Sequence, residues 1–234
     1  VRVHVTTVGP GPDGSHGPHV LVESVEDPRL SDDDRHHLTR VLRVRDGDPL
    51  TVGDGAGQWR SCRLGSEPEP LEPVRHVPKP TPALGVAFAL IKGGRPELVV
   101  QKLTELGVDR IIAFTAERSV VRWDDAKLEK NHARLQRVAR EAVMQSRRAW
   151  LPRVDAISTF DAVASQPGAC MADRSGAALD LASPLVMVGP EGGWSESEAA
   201  ADLPRVRLAE PVLRAETAAI AAGVLLGAAR AQDF

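Results

Sequence analysis

The chain contains 234 residues, 42% of them hydrophobic and 26% charged, and its formal net charge is -3. These values are those of a globular protein with one large or two small domains. No apolar run reaches the roughly 18 residues of a membrane span. Cys62 and Cys170 stand far apart, so neither a zinc pattern nor a disulfide framework is indicated. We therefore expect a cytoplasmic protein with no membrane partner, and we interpret residues 1–5 as a strand and not as a signal peptide.

The first third of the chain consists of short alternating segments separated by turn residues. Strands are predicted at residues 1–8, 20–24, 49–52, 59–64 and 71–77. Short strands at this spacing are typical of a small β-barrel. One helix interrupts them, because Ser31 is a suitable N-cap and the three aspartates after it favour the positive end of a helix dipole. We predict that this helix ends near Arg43.

Pro78, Pro80 and Pro82 mark the clearest boundary in the chain. Three prolines within five residues favour an extended, semi-rigid spacer and disfavour helix or central strand. We therefore expect a first domain at residues 1–77, a proline-rich linker at 78–82 and a second domain at 83–234.

Strand and helix patterns alternate after the linker. Predicted strands lie at residues 84–91, 108–116, near 154, and at 170–172, 185–188 and 206–208. Predicted helices run from 96 to about 106, from about 124 to 146, and onward from 195 and from 214. Such alternation indicates an α/β domain with a parallel sheet covered on both faces. The last helix is so rich in Ala and Gly that its backbone must pack closely against either the sheet or a second subunit.

Charge is distributed unevenly along the second domain. Residues 127–153 carry eight basic side chains against two carboxylates. In residues 154–204 the balance reverses, and Arg174 is the only basic residue against eight carboxylates. A basic stretch of this kind indicates either a solvated helix face or a surface that binds a polyanion.

A glycine-rich turn follows the predicted strand at residues 185–188. Three glycines and a proline within residues 189–193 let the backbone approach a ligand where a Cβ atom would collide. A phosphate loop is not indicated, because a Walker motif and a G-x-G-x-x-G pattern are both missing. Ser195 and Glu198 have the spacing of a capping box, so a simple strand-to-helix turn is the alternative interpretation.

A second segment strengthens the interpretation as a pocket. Arg214, Glu216 and Thr217 lie where the last predicted strand gives way to the last helix. Open α/β sheets place their ligand-binding residues at such junctions. The two segments together predict a cofactor pocket.

Further motifs accompany these two segments over residues 1–230. The full set is His36-His37-Leu38-x-x-Val41-Leu42-Arg43 with Asp46-Gly47-Asp48, Lys92-Gly93-Gly94, Gln101-Lys102-x-x-Glu105-Leu106-Gly107-Val108, Glu117-Arg118-Ser119-Val120, Gly189-Pro190-Glu191-Gly192-Gly193 and Leu213-Arg214-x-Glu216-Thr217-Ala218. In this number and order they resemble the motifs of the RsmE-type family of the SPOUT superfamily. The resemblance implies an enzyme that methylates N3 of a specific uridine in 16S ribosomal RNA of the small subunit, with S-adenosylmethionine as cofactor.

The same resemblance implies an architecture and a set of partners. A PUA-like RNA-binding β-barrel is expected before the linker, and an α/β methyltransferase domain with a trefoil knot after it. The family also implies a homodimer. A metal is not expected, because the seven histidines form no ligand pattern. A catalytically inactive homologue that acts as an RNA-binding module is the alternative function.

The cofactor site is assigned from the positions of the family motifs. The turn at 189–193 matches the first cofactor loop, and residues 208–213 match the segment that brackets the adenine. The chain departs from the family at Ala209, where glycine is usual, and at Pro211. The implied cofactor-binding residues are Met171, Val188, Gly189, Pro190, Glu191, Gly192, Gly193, Leu208, Ala209, Val212, Leu213 and Thr217.

Two residues are candidates for the chemistry. Arg214 offers a charged, forked set of donors for the negative charge that develops on the uracil oxygens. An ion pair of Arg214 with Glu216 or Glu191 is its structural alternative. Glu216 either orients Arg214, which we favour, or accepts the N3 proton. The candidate RNA-binding residues are His36, His37, Arg40, Arg43, Arg118, Gln145, Arg147 and Arg148.

Overall fold

The computed structural model describes residues 7–121 and 123–232. It divides into two compact units. The first contains the described residues through Lys79 together with Arg140–Leu151, and the second contains Pro80–Ala139 and the described residues from Pro152 onward. The strand predicted at residues 1–8 is described only at its last two residues, and the rest lies outside the described residues. The domain boundaries drawn from the proline-rich segment stay a prediction.

The first unit is built on a six-stranded mixed sheet. Its strands are β1 (Thr7–Val8), β2 (His19–Leu21), β3 (Pro49–Gly53), β4 (Gln58–Arg63), β5 (Glu69–Pro70) and β6 (Arg75–His76), in the order β1-β6-β4-β3-β2 with β5 beside β4. The apolar residues of the alternating segments point inward, so Leu50, Val52 and Leu64 are buried in one cluster. Closure of this sheet into a barrel stays a prediction.

A short helix precedes β3. Helix α1 (Asp32–His36) begins at Ser31, whose side chain accepts a hydrogen bond from Asp34 N at 3.1 Å, as the cap prediction required. The helix predicted to about residue 43 is confirmed as far as Val41, but its second half is π-helical and not α-helical. A π-helical turn (His37–Val41) follows α1, and in it Leu42 N donates to His37 O at 3.0 Å. The chain leaves the helix at Arg43, which has a φ of 58°.

The second unit contains a seven-stranded sheet in which every described pairing is parallel. Its elements are β7 (Gly85–Ala89), α2 (Arg95–Glu105), β8 (Arg110–Thr115), α3 (Asp125–Ser146), β9 (Arg153–Val154), β10 (Ser158–Thr159), α4 (Phe160–Ala164), β11 (Ala169–Ala178), β12 (Leu185–Val188), α5 (Glu196–Ala199), β13 (Arg205–Arg207) and α6 (Ala215–Gln232). The strand order is β10-β8-β7-β12-β11-β13, with β9 beside β8. The predicted α/β architecture with a parallel sheet is confirmed. The final turns of α3 belong to the first unit.

Four elements differ from the sequence prediction. Strand β10 and helix α4 were not predicted, because each is too short to show a periodic pattern. Helix α5 has four residues, although its capping box suggested a longer helix. Strand β11 is ten residues long because its second half continues beside β13 after its pairing with β12 has ended.

The sheet is buried on both faces, which explains the continuous apolar runs of its strands. In β7, Val86 and Phe88 point into one cluster, and Ala87 and Ala89 point into the other. Successive side chains of a strand face opposite ways, so a strand covered on both sides must be apolar throughout.

Helix α6 packs closely, as its small residues predicted. A Cβ atom on Gly223 would lie 2.8 Å from Leu103 Cδ2, so a larger residue there would force the Leu103 side chain to move. This contact within the chain accounts for part of the Ala- and Gly-rich face. Within the described ranges, no helix has both the length and the apolar character needed to cross a membrane.

A buried histidine makes the stability of the first unit depend on pH. His19 on β2 is 4% exposed, and its Nδ1 lies 2.9 Å from Thr51 Oγ1. Burial, together with the nearby charge of Arg147, lowers the pKa of His19 to about 4. In the unfolded chain the pKa returns to about 6.5, so the unfolded state takes up the proton first.

We predict that stability falls as the pH is lowered from about 6.5 to 4, by about 3 kcal/mol in total from this residue. His19→Gln should remove that contribution. The measurement is urea unfolding of both proteins across this pH range, and the difference in their free energies should narrow as the pH falls. A difference that stays constant with pH would contradict the prediction.

Candidate active site

A cavity of about 700 Å³ lies in the second unit at one edge of the parallel sheet. Its walls come from the segments that follow β7, β12 and β13, and from the part of β11 that lies beyond its last pairing with β12 at Met171. Parallel strands direct all their carboxyl ends to the same edge, which is where open α/β sheets bind ligands. The volume is that of a small-molecule or cofactor site.

The first wall is the glycine-rich turn after β12. A Cβ atom on Gly189 would lie 2.9 Å from Trp194 Cε2, so the backbone there leaves no room for a side chain. Gly193 has a φ of 72°, and its N–H donates to Pro190 O at 2.9 Å, which closes a tight turn. Val188, Gly189, Pro190, Glu191 and Gly193 all line the cavity.

The turn is anchored at its far end. The indole of Trp194 stacks on Phe114 at 6.2 Å with an interplanar angle of 7°, and its Nε1 donates to Ala172 O at 3.2 Å. Ser195 and Glu198 form the predicted capping box. The capping box and the cavity, which were alternative interpretations of this sequence, are therefore both present. The capping box fixes the end of the glycine-rich turn that forms the first wall.

The second wall is the connection from β13 to α6. Leu208, Ala209, Val212 and Leu213 line the cavity with mostly apolar surface. Arg214 also lines it and is exposed. Among the described residues, no carboxylate forms an ion pair with this guanidinium.

Arg95 joins two of these segments. It is the first residue of α2, it lines the cavity, and its Nη1 lies 2.5 Å from Glu191 Oε1. Its Nε lies 3.6 Å from Oε1 of Glu216, a carboxylate whose side chain is 13% exposed. The other oxygen of Glu216 is buried and has no hydrogen-bond partner among the described residues. Sequence reasoning missed Arg95, although a basic residue after a buried strand is the signal that marks it.

The third wall continues from β11. Ala172, Asp173 and Arg174 line the cavity, whereas Met171 is fully buried in the sheet's core. The Asp173 carboxylate accepts hydrogen bonds from the hydroxyl and the N–H of Ser175, at 2.6 and 2.8 Å, and from Arg205 at 2.9 Å. The bonds from Ser175 are the main cause that lowers the pKa of Asp173, so it is ionised at neutral pH.

Some predicted site residues lie off the cavity wall. Besides Met171, these are Gly192, Glu216 and Thr217. A Cβ atom on Gly192 would lie 3.4 Å from Arg118 Cβ, which is ordinary van der Waals contact. A side chain introduced at position 192 would therefore point toward Arg118. Gly189, whose Cβ atom would collide with Trp194, is the glycine whose replacement disturbs the cavity wall.

The candidate RNA-binding residues have different surroundings. His36, His37, Arg40, Arg43 and Gln145 are exposed in the first unit. In the same unit, the half-buried guanidinium of Arg147 donates to the carbonyl oxygen of Gly17, and Arg148 is half-buried.

Arg118 belongs to the second unit and is exposed. Its Nη1 donates to Gly192 O at 3.4 Å, beside the glycine-rich turn. Among the candidate RNA-binding residues, it is the one that contacts a segment of the cavity wall.

The cavity suits a nucleoside that carries both positively and negatively charged groups. Its second wall offers apolar surface for a base, the backbone is accessible at Gly189, and the carboxylates of Glu191 and Asp173, which pair with Arg95 and Arg205, add negative charge to the wall. S-adenosylmethionine combines an adenosine with a cationic sulfur and an amino-acid group, so these residues fit it. In the described part of the chain, no three His, Cys, Asp or Glu side chains are grouped as metal ligands.

Comparisons with known proteins assign both parts of the chain to families of RNA methyltransferase domains. Residues 78–227 match the family model of an RNA methyltransferase domain, and residues 30–70 match that of an RNA methyltransferase PUA domain. The two units and the cavity therefore define an RNA methyltransferase with a PUA-like domain before it.

A curated relative identifies the family. "Ribosomal RNA small subunit methyltransferase E" of Mycobacterium bovis is 34% identical over 220 residues, which cover 84% of this chain and 83% of that protein. The chain belongs to the ribosomal RNA small subunit methyltransferase E family.

Solved structures support the same family. The methyltransferase E of Neisseria gonorrhoeae, bound to S-adenosyl methionine, is 30% identical with a TM-score of 0.74, over 89% of this chain and 95% of that one. A methyltransferase of Legionella pneumophila in complex with the same cofactor is 25% identical with a TM-score of 0.77, over 90% and 97%. The chain is a methyltransferase that uses S-adenosylmethionine.

We predict that Gly189→Ala weakens S-adenosylmethionine binding by about tenfold or more, because the added methyl group forces Trp194 or the turn to move. Gly192→Ala is the matched control, and its affinity should stay within about threefold of the parent, since its Cβ atom has room. Isothermal titration calorimetry gives both constants, and thermal unfolding checks that both variants fold. Equal affinities for the two variants would refute the placement of the cofactor against Gly189.

Proposed function

We propose that this protein transfers a methyl group from S-adenosylmethionine to N3 of one uridine in 16S ribosomal RNA, in the cytoplasm. The observation that carries the proposal is the cavity itself. Its walls combine a backbone-lined turn for a cofactor with the exposed Arg214, which has no carboxylate partner in the described structure.

The reaction sets two requirements for the chain. Uridine N3 carries a proton, and it becomes a nucleophile only as that proton leaves. The base must also leave its stack and be held with N3 at roughly 3 to 3.5 Å from the carbon that it attacks. When bound, S-adenosylmethionine supplies a methyl group on a positively charged sulfur. The residues of the chain have to hold the base and stabilise its charge.

In this proposal, Arg214 stabilises the negative charge that the base develops. Its guanidinium lines the cavity, and loss of the N3 proton leaves negative charge on the two uracil oxygens. A planar group with several donors, charged at every working pH, is suited to stabilise that charge. Arg214 is therefore the proposed catalytic residue.

Glu216 acts through Arg95 in this proposal. Its observed ion-pair partner is Arg95, which lines the cavity, while Glu216 itself lies behind the wall. We therefore assign Glu216 to holding the Arg95 guanidinium in place, where we had expected it to orient Arg214.

The first unit supplies RNA affinity in this proposal. Its exposed basic residues on and after α1, and Gln145 near the end of α3, are suited to phosphate and ribose contacts. We also propose the trefoil knot and the homodimer that the family resemblance implies, and the domain boundaries at residues 77 and 83.

The direct test is to map the methylated nucleotide. Small-subunit RNA from a bacterial strain without this activity is incubated with the protein and S-adenosylmethionine, and digestion products are examined by mass spectrometry. The expected result is a single 3-methyluridine. Cofactor binding without methylation of RNA or of assembled subunits would refute the proposal, and RNA binding without cofactor binding would identify an RNA-binding module.

We predict that Arg214→Lys lowers the single-turnover methylation rate about tenfold to a thousandfold, as for loss of one preorganised donor. Lysine keeps the charge but loses the forked donors. The affinity for S-adenosylmethionine should change little, and it is measured in the same variant. A larger dissociation constant for S-adenosylmethionine with an unchanged saturated rate would make Arg214 a cofactor-binding residue instead.

We predict that the first unit contributes to RNA binding through Arg40 and Arg43. Replacing Arg40 by Ala and Arg43 by Asn, which tolerates the φ of 58° at this position, should reduce the slope of log K against log salt by about 1.4 to 1.8. Arg29→Ala with Arg63→Ala removes the same charge from other exposed positions and serves as the control. An equal loss of slope in both double variants would remove a specific role for the pair.

A further inference from the structure

Strand β11 makes an excursion that β13 does not follow. Ala172 and Ala177 both pair with Val206, so four residues, 173–176, are inserted between two pairings with the same residue. An insertion of this size is a large β-bulge, which interrupts the ladder locally and bends the strand. It occurs where β11 reaches the cavity.

The excursion is held rigidly. Asp173 binds the N–H and hydroxyl of Ser175 through one oxygen and Arg205 through the other. A Cβ atom on Gly176 would lie 2.5 Å from the backbone carbon of Arg205, so only glycine fits there. The backbone on both sides of residue 174 is therefore fixed.

This turn presents Arg174 on the cavity wall. The side chain is exposed, and no carboxylate in the described part of the chain forms an ion pair with it. Its neighbour Asp173 is already bound to Ser175 and Arg205. Arg174 is also the only basic residue in the acidic stretch at 154–204. The positive charge is thus available to an anionic ligand at this position.

We propose that Arg174 binds a phosphate of the RNA strand next to the target nucleotide, and the inference rests on the proposed function. A base that enters the cavity leaves its sugar and phosphates at the entrance. An exposed arginine on a fixed turn of the wall is suited to that phosphate, because phosphate contacts set the register of a nucleic acid while other groups act on the base. Arg174 is then a substrate-positioning residue.

The test compares three variants of the full chain. Arg174→Ala removes the contact, Arg174→Lys keeps a point charge, and Arg207→Ala removes an exposed arginine from β13 away from the cavity wall. The probe is an RNA fragment that contains the mapped uridine, with S-adenosylhomocysteine present. RNA affinity is measured as a function of salt, and S-adenosylmethionine affinity is measured by calorimetry.

The expected result is specific to Arg174. Arg174→Ala should weaken RNA binding about tenfold and reduce the salt slope by about 0.7 to 0.9, and Arg174→Lys should restore most of that slope. Arg207→Ala and the cofactor affinity of all three variants should stay close to the parent. In methylation assays, Arg174→Ala should raise KM for RNA and leave the saturated rate nearly unchanged.

Two results would overturn the assignment. Weaker cofactor binding with normal RNA binding would place the guanidinium on the cofactor's carboxylate, and equal losses in Arg174→Ala and Arg207→Ala would indicate a general charge effect. The proposed function fails separately, because a parent protein that methylates no uridine refutes it. If the parent is active and Arg174→Ala has the same KM for RNA and the same RNA affinity, only the role of Arg174 is refuted.

Discussion

The parallel alignment of β7, β12, β11 and β13 is the constraint on which the site depends. Because these strands run in the same direction, the residues at and after their carboxyl-side ends reach the same edge, although they are separated in sequence by up to about 120 residues. The alignment requires strands buried on both faces, which the apolar clusters on the two sides of the sheet provide. The chemistry of the cavity is then carried by short segments whose starting points the sheet fixes.

Local patterns in the sequence were sufficient to predict most of this arrangement. The glycine-rich turn, the capping box at Ser195 and the alternation of strands and helices all depend on residues close together in the chain. Met171 was expected on the cavity wall and is buried instead. Successive residues of a strand face opposite ways, so a shift of one residue separates the wall at Ala172 from the core at Met171.

Contacts between distant segments were beyond the reach of such patterns. The pairing of Arg95 with Glu191 joins residues 96 positions apart. Neither periodicity nor capping signals carry information about such a pair. The bulge that presents Arg174 depends likewise on the register between β11 and β13, which the sequence of either strand does not define.

The two carboxylates around Arg95 are held under different conditions. Glu191 lies in the exposed turn, where an ion pair contributes little to stability and is weakened by salt. Glu216 is mostly buried, and one of its oxygens has no hydrogen-bond partner among the described residues, which costs free energy. Unsatisfied polar groups of this kind are uncommon in folded proteins, and they concentrate where function requires them. Arg95 therefore links the exposed glycine-rich turn, through Glu191, to the buried carboxylate of Glu216 at the start of α6.

The segment at residues 140–151 has a consequence for how the protein is made. It completes the first unit: Ala149 O accepts from Gly57 N, Leu151 N donates to Gly55 O, and Trp150 Nε1 donates to Val77 O. These partners are synthesised more than seventy residues before the segment itself. During translation, these hydrogen bonds of the first sheet cannot form until the whole of helix α3 and the residues after it, to Leu151, have left the ribosome. The first unit therefore cannot be completed before part of the second unit has been synthesised. A nascent chain that stops at the proline-rich segment lacks residues 140–151 of its first unit.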